Sequence, residues 1–250
     1  MIDSNMQIAS NKKIADKTYE MVLESSELFQ SQGIEIKPGQ FVNIKIEGFF
    51  LRRPISICDW SENTITIIYK VVGKGTEKMS QMLAGDSLDV LLTLGNGYDV
   101  TDVTERPVCI GGGAGVPPMY GLCKSLIAAG KKPVAVIGFN TESEVFYEQE
   151  FKALGAETVV VAADGSVGAK GFVTDVLGEL GGTEYFACGP EPMLKAIDKT
   201  VPAEAVGHFS FEERMGCGFG ACMGCSCKTK YGNKRICKEG PVLERSEIIW

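Results

Sequence analysis

Cys109-Ile110-Gly111-Gly112-Gly113-Ala114-Gly115-Val116-Pro117-Pro118 runs from an apolar strand through a glycine-rich turn into a helix, and Pro117 suits the first helical turn, where an amide hydrogen has no partner to lose. Downstream the rhythm repeats. Val108 to Ile110, Pro133 to Gly138, Thr158 to Ala162 and Tyr185 to Cys188 read as strands alternating with helix-length segments, which predicts a parallel sheet. Upstream, from Met6 to about Val90, the pattern is different. Short apolar or alternating runs (Phe41 to Ile46, Ile65 to Val71, Ser87 to Leu92) are separated by Gly, Pro and Asn turns, the mark of an antiparallel sheet or small barrel. From His208 the chain becomes rich in Cys and Gly with little apolar periodicity, so a covalent or metal framework must replace a hydrophobic core there. The expected division is a β-barrel over 1–98, a Rossmann-like α/β unit over 99–207 and a small Cys-rich unit over 208–250.

A chain of 250 residues, 44% of them hydrophobic, is long enough for more than one packed core. The formal charge of -7 and a pI near 5.0 give no general attraction for phosphate backbones or anionic membranes, so neither nucleic acid nor a membrane is expected as a partner. The opening MIDSNMQIAS lacks the basic and apolar regions of a secretory signal, and no apolar run approaches the roughly 18 residues that span a bilayer. A cytoplasmic protein is expected.

Of nine cysteines, five fall between Cys217 and Cys237, too crowded for an ordinary disulfide framework. Cys58, Cys109, Cys123 and Cys188 stand singly in apolar or Gly-rich surroundings, where a thiol acts as a small buried hydrophobe. Cys217, Cys222, Cys225 and then Cys237 give C-x4-C-x2-C…C, the plant-type spacing for a [2Fe–2S] cluster. Gly216, Gly218, Gly220 and Gly224 let the loop bend so that amides can point at sulfur. Two rivals are a structural zinc site, which usually shows two C-x2-C knuckles where this chain has one, and a dithiol redox pair at Cys222 and Cys225. Cys227 is surplus to four ligands and stands close enough to replace Cys225.

Two further motifs are weak alone. Arg53-Pro54-Ile55-Ser56 offers a bidentate cation for a diphosphate, a rigid bend and a hydroxyl. Gly73-Lys74-Gly75-Thr76 precedes a predicted helix, Glu77 to Leu83, with Met79, Met82 and Leu83 on one face; it reads as a phosphate-facing turn or as a hairpin turn with Thr76 as helix cap. The opening stretch does not fit G-x-G-x-x-G. Gly113-x-Gly115-x-x-Pro118 fits G-x-G-x-x-P, and together with Cys188-Gly189-Pro190-Glu191-Pro192-Met193 it is far more specific than either half.

These residues resemble the ferredoxin-reductase superfamily, and with Cys237-Lys-Glu-Gly-Pro-Val after the thiol loop they are most similar to the electron-transfer subunits of NAD-dependent dihydroorotate dehydrogenase, type B. The resemblance covers essentially the whole chain, including Leu94-Gly-Asn-Gly-Tyr98 and Asp164-Gly-Ser-Val-Gly168. It implies FAD held by Arg53, Pro54, Ile55, Ser56, Ile68, Tyr69, Lys70, Gly75 and Thr76. It implies NAD at Gly113, Gly115, Pro118, Cys188, Gly189 and Pro190, and a [2Fe–2S] cluster on Cys217, Cys222, Cys225 and Cys237. The implied activity passes electrons from the FMN of a catalytic partner through cluster and FAD to NAD in pyrimidine biosynthesis, within a heterotetramer of two copies each.

The alternative is the small subunit of an NAD(P)H–ferredoxin oxidoreductase or a sulfur reductase; in those relatives the first cluster ligand is often aspartate, so Cys217 favours the first reading. No Ser–His–Asp arrangement is present, and the single histidine, His208, reads as a surface or junction residue. A zinc-stabilised binding module without redox function is a third reading, which intact RPIS and GAGVPP oppose.

Overall fold

The computed structural model describes residues 2–250; Met1, the first residue of the stretch read as lacking a secretory signal, lies outside the described residues. Six antiparallel strands, β1 (Ile2–Ala15), β2 (Thr18–Glu24), β3 (Phe41–Lys45), β4 (Arg53–Trp60), β5 (Thr64–Lys70) and β6 (Ser87–Leu94), close a barrel in the order β1-β2-β5-β4-β3-β6. Its interior is apolar and alternates along each strand: Met21 and Leu23, Val42 and Ile44, Ile65, Ile67 and Tyr69 all point inward. Cys58, Ile68, Phe41 and Leu91 point outward yet are buried, because the rest of the chain covers that face. This is why the run from Ile65 to Val71 reads as almost continuously apolar.

A short helix, α1 (Lys74–Ser80), lies between β5 and β6 and differs from the expected span Glu77 to Leu83. Thr76 Oγ1 accepts the amides of Val72 (3.0 Å) and Gly73 (3.3 Å), which closes the turn from inside and starts the helix at Lys74. Leu83 lies beyond its end and is exposed.

The second unit is a seven-stranded sheet, with β7 (Val108–Gly112), β8 (Val134–Phe139), β9 (Glu157–Ala162), β10 (Ala169–Lys170), β11 (Glu184–Cys188) and β12 (Val206–Ser210) parallel in the order β10-β9-β8-β7-β11-β12. Helices α2 (Val116–Ala128), α3 (Glu148–Leu154), α4 (Val173–Leu180) and α5 (Glu191–Thr200) make the crossovers. Tyr98, on the segment leaving the barrel, donates to the Ala187 carbonyl at 3.2 Å and meets Phe186 edge-on, tying the two units together.

The Cys-rich segment begins and ends within this sheet. After an excursion that carries the hairpin β13 (Ser226–Thr229) and β14 (Gly232–Arg235), β15 (Val242–Glu244) returns antiparallel to β12 as the edge strand. Its Leu243 joins the core that β12 would otherwise expose. Ile248-Ile249-Trp250, an apolar tail, folds back: Ile248 is buried, and the Trp250 indole donates to Asp198 at 2.7 Å while packing on Phe209 and Phe211. Among the described residues no helix is long and apolar enough to cross a membrane.

Candidate functional site

Strand β7 is followed in the sheet by β8 on one side and β11 on the other, so the chain reverses its direction of winding there. Open parallel sheets bind ligands at that switch point, beyond the carboxyl ends of the strands. A cavity of about 600 Å³ opens at that place. Gly112 to Gly115, Gly189 and Pro190 form one wall, Phe139, Asn140 and Phe172 another, and Lys70 reaches in from the barrel. Gly115 touches the Cys188 carbonyl so closely that any Cβ would collide with it, which is the physical demand behind the second glycine of the G-x-G-x-x-P turn. Of the residues expected at the nucleotide, Gly113, Gly115, Gly189 and Pro190 line this cavity. Pro118 and Cys188 are buried behind it. The Cys188 thiol is pushed up to about 12, by burial first and by Glu212 second. Cys58, Cys109 and Cys123 are likewise buried thiols.

The barrel's outer face meets the same cavity. Register pairs Phe41 with Ser56 and Asn43 with Pro54, so Pro54 and Ser56 share the outer face with Asn43, and Ile68 and Lys70 continue it on β5. Ile55 and Tyr69 point into the barrel; the Tyr69 hydroxyl donates to Asn11 Oδ1 at 3.0 Å, leaving only backbone for a ligand. The Arg53 guanidinium stacks 5.0 Å from the Phe49 ring centroid and lies against Gly75 in the first turn of α1, so the expected cation and the expected glycine turn are neighbours. Thr76 is spent on the turn itself.

In the Cys-rich segment the thiols stand in two pairs. Cys217 Sγ accepts the amides of Ala221 (3.2 Å) and Cys222 (3.4 Å), and Cys222 Sγ accepts those of Cys217 (3.4 Å) and Gly224 (3.5 Å). Burial alone would raise the Cys217 thiol, but the amides of Phe219 and Cys222 outweigh it and lower it to about 6. Cys225 and Cys237 lie 3.2 Å apart, sulfur to sulfur, and the Cys237 thiol is pushed up to about 12 by burial, by Cys225 and by nearby Cys217. Arg235 locks the two halves together, with Nη1 on the Gly220 carbonyl at 2.6 Å and its other nitrogens on Glu239. Cys227 sits apart on β13 opposite Lys234, its thiol raised by burial and then by Glu213, Glu191 and Glu247, none of them a cysteine. Among the described residues no three Cys, His, Asp or Glu side chains converge on a single-ion site. Four cysteine thiols grouped as two pairs match the donor set of a two-iron core.

Sequence reasoning missed several cavity residues. Phe172, Val173 and Thr174 open α4 and arrive only through the sheet order, and Glu212 enters from the segment just past the end of β12. Glu212 reaches solvent through the cavity mouth yet is surrounded by protein, which pushes its carboxyl up. No local pattern announces either. His208 stacks on Phe186 with Nε2 3.8 Å from Glu184 Oε1, away from the nucleotide turn.

Comparison with known proteins agrees with this arrangement. Residues 212–249 match the family described as the iron–sulfur cluster binding domain of dihydroorotate dehydrogenase B, and residues 109–199 match the oxidoreductase NAD-binding domain. The electron transfer subunit of dihydroorotate dehydrogenase B (NAD(+)) from Fusobacterium nucleatum is 44% identical, with 96% of each chain covered. That of Geobacillus kaustophilus is also 44% identical, over 98% of this chain and 97% of the relative. Among solved structures, a chain of NADH-dependent reduced ferredoxin-NADP oxidoreductase superposes with a TM-score of 0.88 at 29% identity, over 98% of this chain and 90% of that one. Phthalate dioxygenase reductase, at 17% identity and a TM-score of 0.69 over 91% and 87%, shares the fold. With two full-length relatives at 44% identity and the cluster domain matched, this chain belongs to the family of electron transfer subunits of dihydroorotate dehydrogenase B (NAD(+)).

Proposed function

We propose that this chain carries electrons from the FMN of a catalytic dihydroorotate dehydrogenase subunit to NAD, with FAD between barrel and sheet, a [2Fe–2S] cluster on Cys217, Cys222, Cys225 and Cys237, and two copies of each subunit in a cytoplasmic heterotetramer. The observation that carries the reading is the pairing of Cys217 with Cys222 and of Cys225 with Cys237, with backbone amides directed at the first pair. When bound, FAD exchanges hydride with nicotinamide and single electrons with the cluster.

The chain's own residues bind and orient. Arg53 supplies a fixed fork for a diphosphate, and Gly75 lets that cation approach the first turn of α1. Pro54, Ser56 and Ile68 offer a flat outer face for an aromatic ring system, with the Ser56 hydroxyl as its polar contact. Gly113 and Gly115 present bare backbone to a dinucleotide, and Gly189 and Pro190 close the other wall. The amides on Cys217 and Cys222 stabilise thiolate charge and so favour the reduced, more negative cluster.

The test is to replace each cysteine of the segment with serine and measure acid-labile sulfide and the visible spectrum. Loss is expected at Cys217, Cys222, Cys225 and Cys237, and retention at Cys227. Full retention in Cys225→Ser with loss in Cys227→Ser overturns the ligand set, and a colourless, zinc-containing parent protein overturns the redox reading.

A further inference from the structure

On β3 the outer face carries one buried polar side chain. Phe41 packs into the core shared with Cys225, Ile236 and Cys237, Lys45 is exposed, and Asn43 between them is 1% exposed. Its carboxamide points at the thiol loop, where Nδ2 donates to the Cys217 carbonyl at 3.4 Å. The next residue, Gly218, has φ +79° and lies so near Nδ2 that a Cβ would collide with it, so the loop is moulded onto this side chain. On its other side Asn43 is the register partner of Pro54, on the face argued above to carry the flavin. Asn43 therefore joins that face to the first cluster ligand.

Packing does not explain an asparagine here. Its Oδ1 is buried without any partner, a state that native structures avoid. Turning the amide over would set Oδ1 against the Cys217 carbonyl oxygen, two acceptors face to face, so the orientation is fixed by the loop. An apolar side chain of the same shape would fill the site without leaving an acceptor stranded.

We propose that Asn43 is a positioning residue for electron passage, holding the Cys217–Gly218 turn from β3 against the flavin-bearing strand β4 beside it, so that the cluster sits at a fixed distance and orientation from the flavin. The proposal rests on the cofactor reading given above. It makes Asn43 dispensable for exchange between NADH and flavin and necessary for exchange between flavin and cluster.

The experiment uses the full-length chain loaded with FAD and iron, as parent, Asn43→Ala and Asn43→Ser. Each is mixed anaerobically with NADH, flavin bleaching is followed by absorbance, and cluster reduction by rapid-freeze electron paramagnetic resonance. Both variants are expected to bleach flavin at the parental rate, to reduce the cluster roughly threefold to tenfold more slowly, the scale of one lost hydrogen bond expressed in rate, and to show shifted cluster g-values, with serine closer to the parent. A variant that keeps FAD and parental flavin bleaching but loses iron also supports the proposal, since only the seat of the cluster has failed. Parental cluster reduction with parental g-values in Asn43→Ala overturns it. So does equal slowing of both phases, or loss of FAD together with iron in both variants, because each marks a general structural role. A parent chain that binds no cluster overturns the cofactor reading instead.

Discussion

Lys70 Nζ and Glu144 Oε1 meet at 2.7 Å across the joint between the barrel and the seven-stranded sheet. Lys70 ends β5, and Glu144 lies just beyond β8, where the Asn140 side chain also donates to it at 2.9 Å. Both line the cavity, so this ion pair, with Lys124 and Asp59 at 2.5 Å as a second across the joint, helps hold the two units in register and shapes the space between them.

The bond from Lys70, with help from Asn140, holds the Glu144 carboxyl below the usual carboxylate range. A depressed carboxylate contributes stability above its unfolded value of about 4.3 and loses it as pH falls through the folded value. Glu144→Gln should therefore cost about 1 kcal/mol at pH 7, a modest figure because both side chains are partly solvated. The gap should close below about pH 4. Thermal unfolding of parent and variant across pH measures it; a gap that persists at pH 3 would show that the carboxylate charge is not the source.

Asn96 makes a further clasp. Its amide donates to the Gly240 carbonyl at 2.6 Å, its Nδ2 to the Val242 carbonyl at 2.8 Å, and its Oδ1 accepts the Val242 amide at 3.1 Å. One side chain thus holds the returning leg of the Cys-rich segment to the exit of the barrel. Asn96→Ala removes two hydrogen bonds and strands two backbone groups, so a loss of about 2–4 kcal/mol is expected. Hydrogen exchange should show the loss concentrated at 236–244 while the barrel stays protected. Uniform deprotection would sink the clasp.

Much of this was legible in the sequence because each unit is local in its signals. Period-two alternation marked the barrel strands, the repeated strand-turn-helix rhythm marked the sheet, and the spacing of Cys217, Cys222 and Cys225 marked the thiol loop. What stayed hidden depends on long-range approach. Lys70 and Glu144 are 74 positions apart and Asn43 and Cys217 are 174 apart, and no local pattern records that a closed barrel and a parallel sheet will bring them together. The start of α1 was misplaced because Thr76 bonds backward to Val72 and Gly73, which composition alone does not reveal. Where the tail lands is hidden for a similar reason: only the return of β15 carries Trp250 to Asp198 and Phe209.

Preference for NAD over NADP follows from the charges at the ends of β8 and β9. Glu142 and Asp164 are exposed there, and Glu144 lines the cavity, while Lys70, the cation on its rim, is already paired with Glu144; Lys170 at the end of β10 stands near Asp164 as a counter-charge. A 2′-phosphate brought among these carboxylates meets about 1 kcal/mol of repulsion per close charge even in water. The expected kcat/KM for NADPH is about tenfold or more below that for NADH. Steady-state rates with an artificial acceptor decide the matter, and comparable values for the two nucleotides would sink it.

The last expectation is that this chain cannot oxidise dihydroorotate by itself. Every described element belongs to the barrel, the nucleotide sheet or the Cys-rich excursion. Oxidation of a dihydropyrimidine needs a base beside a hydride acceptor. The single histidine, His208, is stacked on Phe186 and turned toward Glu184 instead. A second cavity, of about 660 Å³, lies against His208, but its cations are engaged: Lys230 donates to the Ser246 carbonyl at 2.8 Å, and Arg245 grips Asp198. Among the exposed apolar side chains, Phe219 and Met223 on the thiol loop, 42% and 53% exposed, are the ones that flank Cys222. Their burial on association would bring the cluster next to the partner's own redox group. The purified chain should therefore pass electrons from NADH to artificial acceptors, and dihydroorotate should yield NADH only after a catalytic subunit is added. Phe219→Glu should weaken that reconstituted activity while sparing the artificial-acceptor rate. Dihydroorotate-dependent NAD reduction by the single chain would refute the division of labour, and an unaltered response in Phe219→Glu would move the contact elsewhere on the surface.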